Sequence, residues 1–188
     1  MKTRFPLPVA AAVADHLVGQ LSVACLRIVT AGSIRRARPD VGDIELLYIP
    51  RVEPSKDPAD LFANRDVNLA DRAIADLEAR RILARRLNAR GHPTFGPSNK
   101  LMVHVPSGIP VDLFTARREN WFNLLVCRTG PAESNMRIAK AAIGRGWRWN
   151  PYAPGFTRAG GGEEHPVQSE EDVFAFVGLP YLEPQARR

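Results

Sequence analysis

Apolar residues recur at helical spacing in two early segments of the chain. Residues 8–24 are rich in alanine and valine, and residues 68–85 place Ile74 and Leu77 on one side of a helix. Asn68 stands at the start of the second segment, where its side chain can cap the first helical turn. The pattern therefore predicts one helix in each segment.

Short apolar runs stand between and after these helices. Residues 26–30 and 44–49 are predicted strands, and the second is expected to be buried because nearly all of its side chains are apolar. Residues 100–105 and 109–114 flank a Pro-Ser-Gly turn and are predicted to form a hairpin. Residues 51–60 are polar and carry two prolines, which predicts a loop.

The second half of the chain carries mostly helical patterns. Helices are expected from about Arg118, over 131–143 and over 169–177. The order of elements predicts an α+β protein, with a first domain at 1–117 built on a mixed or antiparallel sheet. A small, mainly helical domain is expected to follow at 118–188.

The net charge adds a first indication of function. Lysine and arginine together number 26 against 20 acidic residues, which gives a formal charge of +6, and only four of the 26 are lysines. Guanidinium groups bind phosphate through two parallel hydrogen bonds, so an arginine-rich surface is typical of proteins that bind nucleic acid. A general compositional bias toward arginine would also explain the high ratio of arginine to lysine, although not the excess of positive charge.

Several classes of protein are not favoured by the composition. No run of about 18 apolar residues is present, as a membrane span would require, and the N-terminal residues do not resemble a signal peptide. The only cysteines, Cys25 and Cys127, rule out a disulfide framework. We therefore expect a cytoplasmic protein with no membrane partner, and we expect it to be monomeric.

Three acidic residues are candidates for a metal site. Asp43 and Glu45 are two positions apart on a predicted strand, so their side chains point to the same face. Asp112 lies within another apolar run, and antiparallel pairing of the two strands is expected to bring it beside the first two acids. Three carboxylates at one point can hold two Mg²⁺ or Mn²⁺ ions, whereas an isolated Asp-x-Glu pair is typical of a solvated strand edge.

The segment before these acids contains a candidate phosphate-binding loop. Gly32 and Ser33 follow the strand at 26–30 and precede Arg35 and Arg36. Backbone N–H groups and a hydroxyl in such a loop can hold a phosphate, and Arg36 adds positive charge. The loop, the acid pair and the distant acid together favour phosphoryl chemistry more strongly than any one of them alone.

This set of motifs resembles the DNA polymerase X family, the relatives of polymerase beta within the nucleotidyltransferase superfamily. The resemblance covers nearly the whole chain and is carried by GSIRRARPDVGDIELL (32–47), NKLMV (99–103), VDLFTA (111–116), RTGPAESNMR (128–137) and EEDVFAFVGLPYLEPQARR (170–188). It implies a palm domain at 1–117 and a C-terminal subdomain at 118–188 that faces the nucleotide and template. The family's amino-terminal lyase domain has no counterpart here, so lyase activity is not expected.

The resemblance also implies roles for individual residues, in four groups. The expected catalytic and metal-binding acids are Asp43, Glu45 and Asp112; the expected triphosphate-binding residues are Gly32, Ser33 and Arg36; the residues expected beside the sugar and base are Thr129 and Gly130; and the expected DNA-binding residues are Lys100 and Arg137.

The sequence departs from the family pattern at two places. Glu45 stands where the polymerases usually have aspartate, and Cys127-Arg128 replaces the usual aromatic pair before Thr-Gly. Sugar discrimination is therefore not implied by the resemblance. The Gly130–Pro131 peptide bond is expected to be cis.

The expected activity is transfer of dNMP from a dNTP to a primer 3′-hydroxyl with two Mg²⁺ or Mn²⁺ ions, on primer/template or gapped DNA, with short gaps as the substrate. Three alternatives stay open at this point: template-independent addition, transfer to another acceptor, and a non-catalytic DNA-binding module. The arginines between 80 and 90 are interpreted either as contacts to the DNA backbone or as a solvated helix face.

Overall fold

The computed structural model describes residues 3–57 and 60–187. Its α-helices are α1 (Leu7–Ser22), α2 (Gly32–Arg35), α3 (Leu69–Ala79), α4 (Trp121–Thr129), α5 (Ala132–Gly144) and α6 (Glu170–Phe176). Short 3₁₀ turns occur at Arg118–Asn120 and Pro184–Ala186. The helices predicted over 8–24, 131–143 and 169–177 are thereby confirmed to within two residues. In the described ranges, no helix combines the length and the apolar character needed to span a bilayer.

Twelve strands complete the described secondary structure. They are β1 (Phe5–Pro6), β2 (Cys25–Thr30), β3 (Asp40–Val41), β4 (Ile44–Pro50), β5 (Val52–Asp57), β6 (Asp60–Asn68), β7 (Leu83–Arg85), β8 (Asn99–His104), β9 (Ile109–Thr115), β10 (Trp147–Trp149), β11 (Gly155–Arg158) and β12 (Glu164–Pro166).

A five-stranded sheet in the order β2-β4-β9-β8-β7 forms the centre of the first domain. Strands β8 and β9 form the predicted antiparallel hairpin. Strands β4 and β9 pair in parallel, so the expected antiparallel pairing of the acid-bearing strands is wrong. Helix α3 lies between them in the sequence, and this crossover returns the chain to run in the same direction.

Each face of the central sheet is covered by helices. On one face, alternate residues such as Leu46 and Leu113 pack against α1 and α3, and both side chains are fully buried. On the other face, Leu47 and Phe114 pack against Trp121 and its neighbours in α4. Because side chains alternate along a strand, this second face is also the one toward which Glu45 and Asp112 point.

Helix α3 ends earlier than predicted. It stops at Ala79 instead of continuing to Arg85, and Arg81 takes a left-handed backbone conformation with φ of 56°. The chain then forms β7, which pairs with β8 at the sheet edge and buries Leu83. Pairing with β7 satisfies backbone groups of β8 that would lack partners if the helix continued. This explains why the helix ends at Ala79 although the helical pattern of the sequence continues to Arg85.

The segment predicted as a loop at 51–60 also differs. Strand β5 occupies its described part through Asp57 and pairs antiparallel with β6, so the loop prediction is wrong there, while residues 58 and 59 lie outside the described residues. Pro54 is compatible with this two-stranded sheet because each strand has a free edge, where a missing N–H donor costs little.

The C-terminal part combines helices with a second small sheet. Strands β10, β11 and β12 pair antiparallel, so the expectation of a mainly helical domain was incomplete. Phe156 and Val173 are buried in a core formed by this sheet with α5 and α6. Helix α4 contributes Val126 to this core and Leu124 to the sheet-facing one, and the division at 117/118 stays a prediction.

We expect Ile74→Ala to lower the free energy of unfolding by about 2–5 kcal/mol, because it leaves a cavity beneath α3. Ile74 is fully buried between α3 and the sheet. Ile143→Ala is the matched control, since Ile143 is 67% exposed on α5 and should change stability by less than about 0.5 kcal/mol. Chemical denaturation followed by circular dichroism measures both. Equal losses in the two variants would contradict the described packing of α3.

Candidate active site

The three predicted acids lie at one end of the two parallel strands. Glu45 on β4 is the direct neighbour of Asp112 on β9. Asp43 precedes β4 by one residue and shares the face of Glu45. The structure therefore brings together residues that are far apart in the sequence, although through parallel pairing.

Glu45 has a strongly perturbed environment. Burial raises the pKa of its carboxyl to about 7, and the nearby carboxylates of Asp43 and Asp112 add to the increase. The guanidinium groups of Arg128 and Arg36 act in the opposite direction. A buried carboxylate near two others is a group whose charge favours a cation close by.

Gly32 allows the phosphate loop to lie directly against this carboxylate. Its φ is +60°, and a Cβ atom at this position would stand 2.1 Å from Oε2 of Glu45. The backbone N–H of Ala31 donates to the carbonyl of Glu45 at 2.8 Å, which joins the loop to β4. Only glycine fits here, because both the conformation and the space exclude a side chain.

A cavity of about 380 Å³ lies beside the loop. Two of the three predicted triphosphate-binding residues, Ser33 and Arg36, line it. Within the described chain, Oγ of Ser33 and Nε of Arg36 are buried without a hydrogen-bond partner. Burial is the main cause that lowers the pKa of Arg36. An anion in the cavity would satisfy these groups, because unpaired buried donors are costly.

Two further arginines reach the same cavity. Arg4 and Arg38 line it, although the sequence analysis singled out neither. Pairing of β1 with β3 brings the N-terminal segment to this point, and Nη1 of Arg4 donates to the carbonyl of Asp40 at 3.4 Å. No local motif marks Arg4, and only the high arginine content pointed toward such a cluster.

Thr129 and Gly130 adjoin the phosphate loop from the other domain. Arg36 donates from Nη1 to the carbonyl of Thr129, and a Cβ atom on Gly130 would lie 3.2 Å from the same nitrogen. Gly130 has φ of +62°, and the Gly130–Pro131 peptide bond is cis, as predicted. The predicted nucleotide-binding residues of the two domains therefore meet at one place.

A partly buried ion network joins α2 to the C-terminal segments that contain Thr129, Glu170 and Arg187. Nη1 of Arg35 donates to Oγ1 of Thr129 at 2.6 Å and to Oε2 of Glu170 at 3.0 Å, and Nη2 of Arg187 donates to the same Glu170 oxygen at 2.9 Å. Burial alone would raise the pKa of Glu170, but these two guanidinium groups hold it below its usual range. The sequence analysis missed this network, since its members come from three distant segments.

The two predicted DNA-binding residues differ in exposure. Arg137 is exposed on α5. Lys100 is only 2% exposed, and its Nζ lies 2.9 Å from Asp71 and 3.1 Å from the carbonyl of Gly96. The Lys100 ammonium therefore lies inside the first domain, paired with Asp71 and the Gly96 carbonyl.

The carboxylate oxygens of Asp43, Glu45 and Asp112 are chemically suitable ligands for a divalent cation. Carboxylate oxygens are hard ligands suited to Mg²⁺ or Mn²⁺, and the repulsion felt by Glu45 is what a cation would relieve. The acids are neighbours, but in residues 3–57 and 60–187 no three Asp, Glu, His or Cys side chains lie close enough together to hold one metal ion. Asp112 instead accepts a hydrogen bond from Arg86. The metal-binding role of the three acids therefore stays a prediction.

We expect the stability of the metal-free protein to depend on the ionisation of Glu45. The pKa is about 7 in the folded chain against 4.5 in the reference state, so folding favours the protonated form. The stabilisation is complete below about pH 4.5 and is lost as the pH rises through 7, with a total on the order of 3 kcal/mol.

Chemical denaturation in EDTA at pH values from about 5 to 8 tests this expectation. Glu45→Gln should lack the decrease that wild type shows over this range. Glu164→Gln, an exposed position on β12, should keep it. If wild type and Glu45→Gln show the same pH dependence, the carboxyl of Glu45 ionises at its ordinary pKa.

Comparison with known proteins agrees with the features above. Residues 124–188 match the family model of the DNA polymerase beta thumb. The fold matches the crystal structure of Leishmania infantum polymerase beta in a ternary P/T complex, with a TM-score of 0.74 and 20% sequence identity over 99% of this chain and 77% of that one. No curated protein matches the sequence.

The family-model match and the structural match cover overlapping parts of the chain. The matched segment begins within α4 and contains the whole C-terminal core, and the structural match extends through the sheet that carries the acids. The chain has the polymerase beta fold over nearly its full length, and its residues 124–188 are similar to the DNA polymerase beta thumb.

Proposed function

We propose that this protein is a DNA polymerase that adds dNMP from a dNTP to a primer 3′-hydroxyl and releases pyrophosphate. The observation that carries the proposal is the pairing of Glu45 with Asp112 beside the arginine-lined cavity at Ser33 and Arg36. Acids for metal ions and donors for a polyphosphate are the two components that nucleotidyl transfer requires. The relative solved as a ternary P/T complex supports primer/template DNA as the substrate.

In the proposed reaction the acids would bind the metal ions, and the cavity residues would bind the phosphates. When bound by Asp43, Glu45 and Asp112, two divalent cations would lower the pKa of the primer hydroxyl and neutralise the triphosphate. Ser33 and Arg36 would hold the phosphates and stabilise the negative charge that accumulates on the departing pyrophosphate. Ser33 and Arg36 both line the cavity, and this supports the proposed role at the phosphate end of the nucleotide.

The thumb would form the wall against the sugar and base. Thr129 and Gly130 lie in contact with Arg36, and this contact supports their proposed position beside the nucleotide. Cys127 precedes them and is half-buried. Because an aromatic pair usually stands at residues 127–128 in the family, the resemblance does not imply discrimination between deoxyribonucleotides and ribonucleotides, and the proposal does not include it.

Arg137 on the exposed face of α5 is the proposed thumb contact to DNA. A protein that holds DNA mainly through phosphate contacts loses affinity as the salt concentration rises. Short gaps are the proposed substrate, because a chain with few DNA-binding elements would dissociate after few additions.

We expect Asp112→Asn to reduce primer extension by roughly 10²–10³-fold, the loss typical of removing one charge at a reaction centre. The assay uses a gapped duplex with Mg²⁺ or Mn²⁺ and each dNTP alone. Asp76→Asn, on the exposed side of α3, is the control and should retain activity.

The same assay separates the alternative activities. Addition without regard to the template base would favour terminal transfer, and no addition to any primer would favour transfer to another acceptor. Equal extension by wild type and Asp112→Asn would exclude the proposed reaction.

We expect Ser33→Ala to raise the KM for dNTP by about tenfold, because a hydrogen bond to a charged group contributes about 1.5 kcal/mol or more. Its hydroxyl has no partner in the free protein, so the free energy of unfolding should not fall. Ser22→Ala, at the exposed end of α1, should change neither quantity. Lower stability with an unchanged KM would show that Ser33 has a structural role only.

A further inference from the structure

Arg86 reaches Asp112 from two strands away. It follows β7 at the sheet edge, and its backbone N–H donates to the carbonyl of Leu101 at 3.0 Å. Its Nε donates to the carbonyl of Met102 at 3.1 Å, and its Nη2 donates to Oδ1 of Asp112 on β9. The Arg86 side chain therefore extends across β8. Hydrogen bonds hold the residue at Leu101 and Met102 of β8 and at Asp112 of β9.

The ion pair is largely shielded from water. The exposed fractions of the two side chains are 27% for Arg86 and 17% for Asp112. Charges in such a place interact more strongly than at an open surface, because water screens them less. The neighbouring Arg85 differs: its side chain is 56% exposed and pairs with Glu78. Of these two neighbouring arginines, only Arg86 directs its side chain to Asp112.

The pair competes with a metal ion for the same carboxylate. A carboxylate oxygen that accepts a hydrogen bond from a guanidinium is a weaker ligand for a metal ion. The positive guanidinium also repels a divalent ion placed beside it. Arg86 therefore occupies one oxygen of an acid that the proposed function assigns to a metal ion.

We infer that Arg86 is a built-in counter-ion that occupies Asp112 in the free protein and must release it before this aspartate can bind a divalent cation. The inference rests on the proposed function for the identity of the metal-binding acids. Arg86 is in this view a positioning residue, and its effect is to keep the metal affinity of the free protein low.

The test is direct Mn²⁺ binding to the full chain without DNA or nucleotide. Free Mn²⁺ is measured by electron paramagnetic resonance, and heats of binding are measured by calorimetry. Arg86→Gln should bind Mn²⁺ about tenfold more tightly than wild type, and Arg85→Gln, the matched control one residue away, should bind as wild type does. Equal or weaker binding by Arg86→Gln overturns the inference.

Two further variants locate the effect. Adding Asp112→Asn to Arg86→Gln should remove the gain in affinity, and a gain that persists overturns the inference. If Arg86→Gln does not fold by circular dichroism, Arg86→Lys replaces it, because lysine keeps the charge but loses the planar fork that reaches both partners. A gain of about threefold is then expected, and an unchanged affinity overturns the inference.

The experiment is independent of polymerase activity. Tighter Mn²⁺ binding by Arg86→Gln together with absent primer extension would support the counter-ion role and contradict the proposed reaction. Normal primer extension with unchanged Mn²⁺ binding would support the reaction and contradict the counter-ion role.

Discussion

The parallel pairing of β4 with β9 is the constraint on which the rest of the site depends. Both strands bury apolar side chains on each face of the sheet, and a shift of one residue would move every one of them to the opposite face. This packing fixes Glu45 beside Asp112. Two acids held side by side in a half-buried position require positive charge nearby, and much of the surrounding structure supplies it.

Arginines from separate segments supply this positive charge, one by an ion pair and others by lowering the pKa of a nearby acid. Arg86 pairs with Asp112, while Arg36 and Arg128 offset the repulsion that raises the pKa of Glu45. The excess of arginine in the sequence is therefore concentrated in part around one acidic site. A guanidinium suits these positions because its planar fork can bind two partners at once, as Arg86 does with the carbonyl of Met102 and the carboxylate of Asp112.

Arg128 connects the thumb to the acids in a way that the family pattern did not lead us to expect. Its guanidinium lies 3.8 Å from the ring centre of Phe114, and Nη2 donates to the hydroxyl of Tyr152 at 2.5 Å. It also lowers the pKa of Glu45. At the second of the two positions where the family usually has an aromatic pair, this chain therefore has a cation close to Phe114 on β9 and near Glu45.

The sequence alone determined the helices, the hairpin and the acid-bearing strands, because these depend on local periodicity and on turn residues that neighbouring positions supply. It also indicated the candidate phosphate-binding loop, where Gly32 has a positive φ and lies directly against Glu45. Tertiary structure decided the parallel direction of β9, the strand at Leu83 and the pairing of Arg86 with Asp112. Each of these depends on which distant backbone edge or charge is within reach, and spacing along the chain carries no information about that distance.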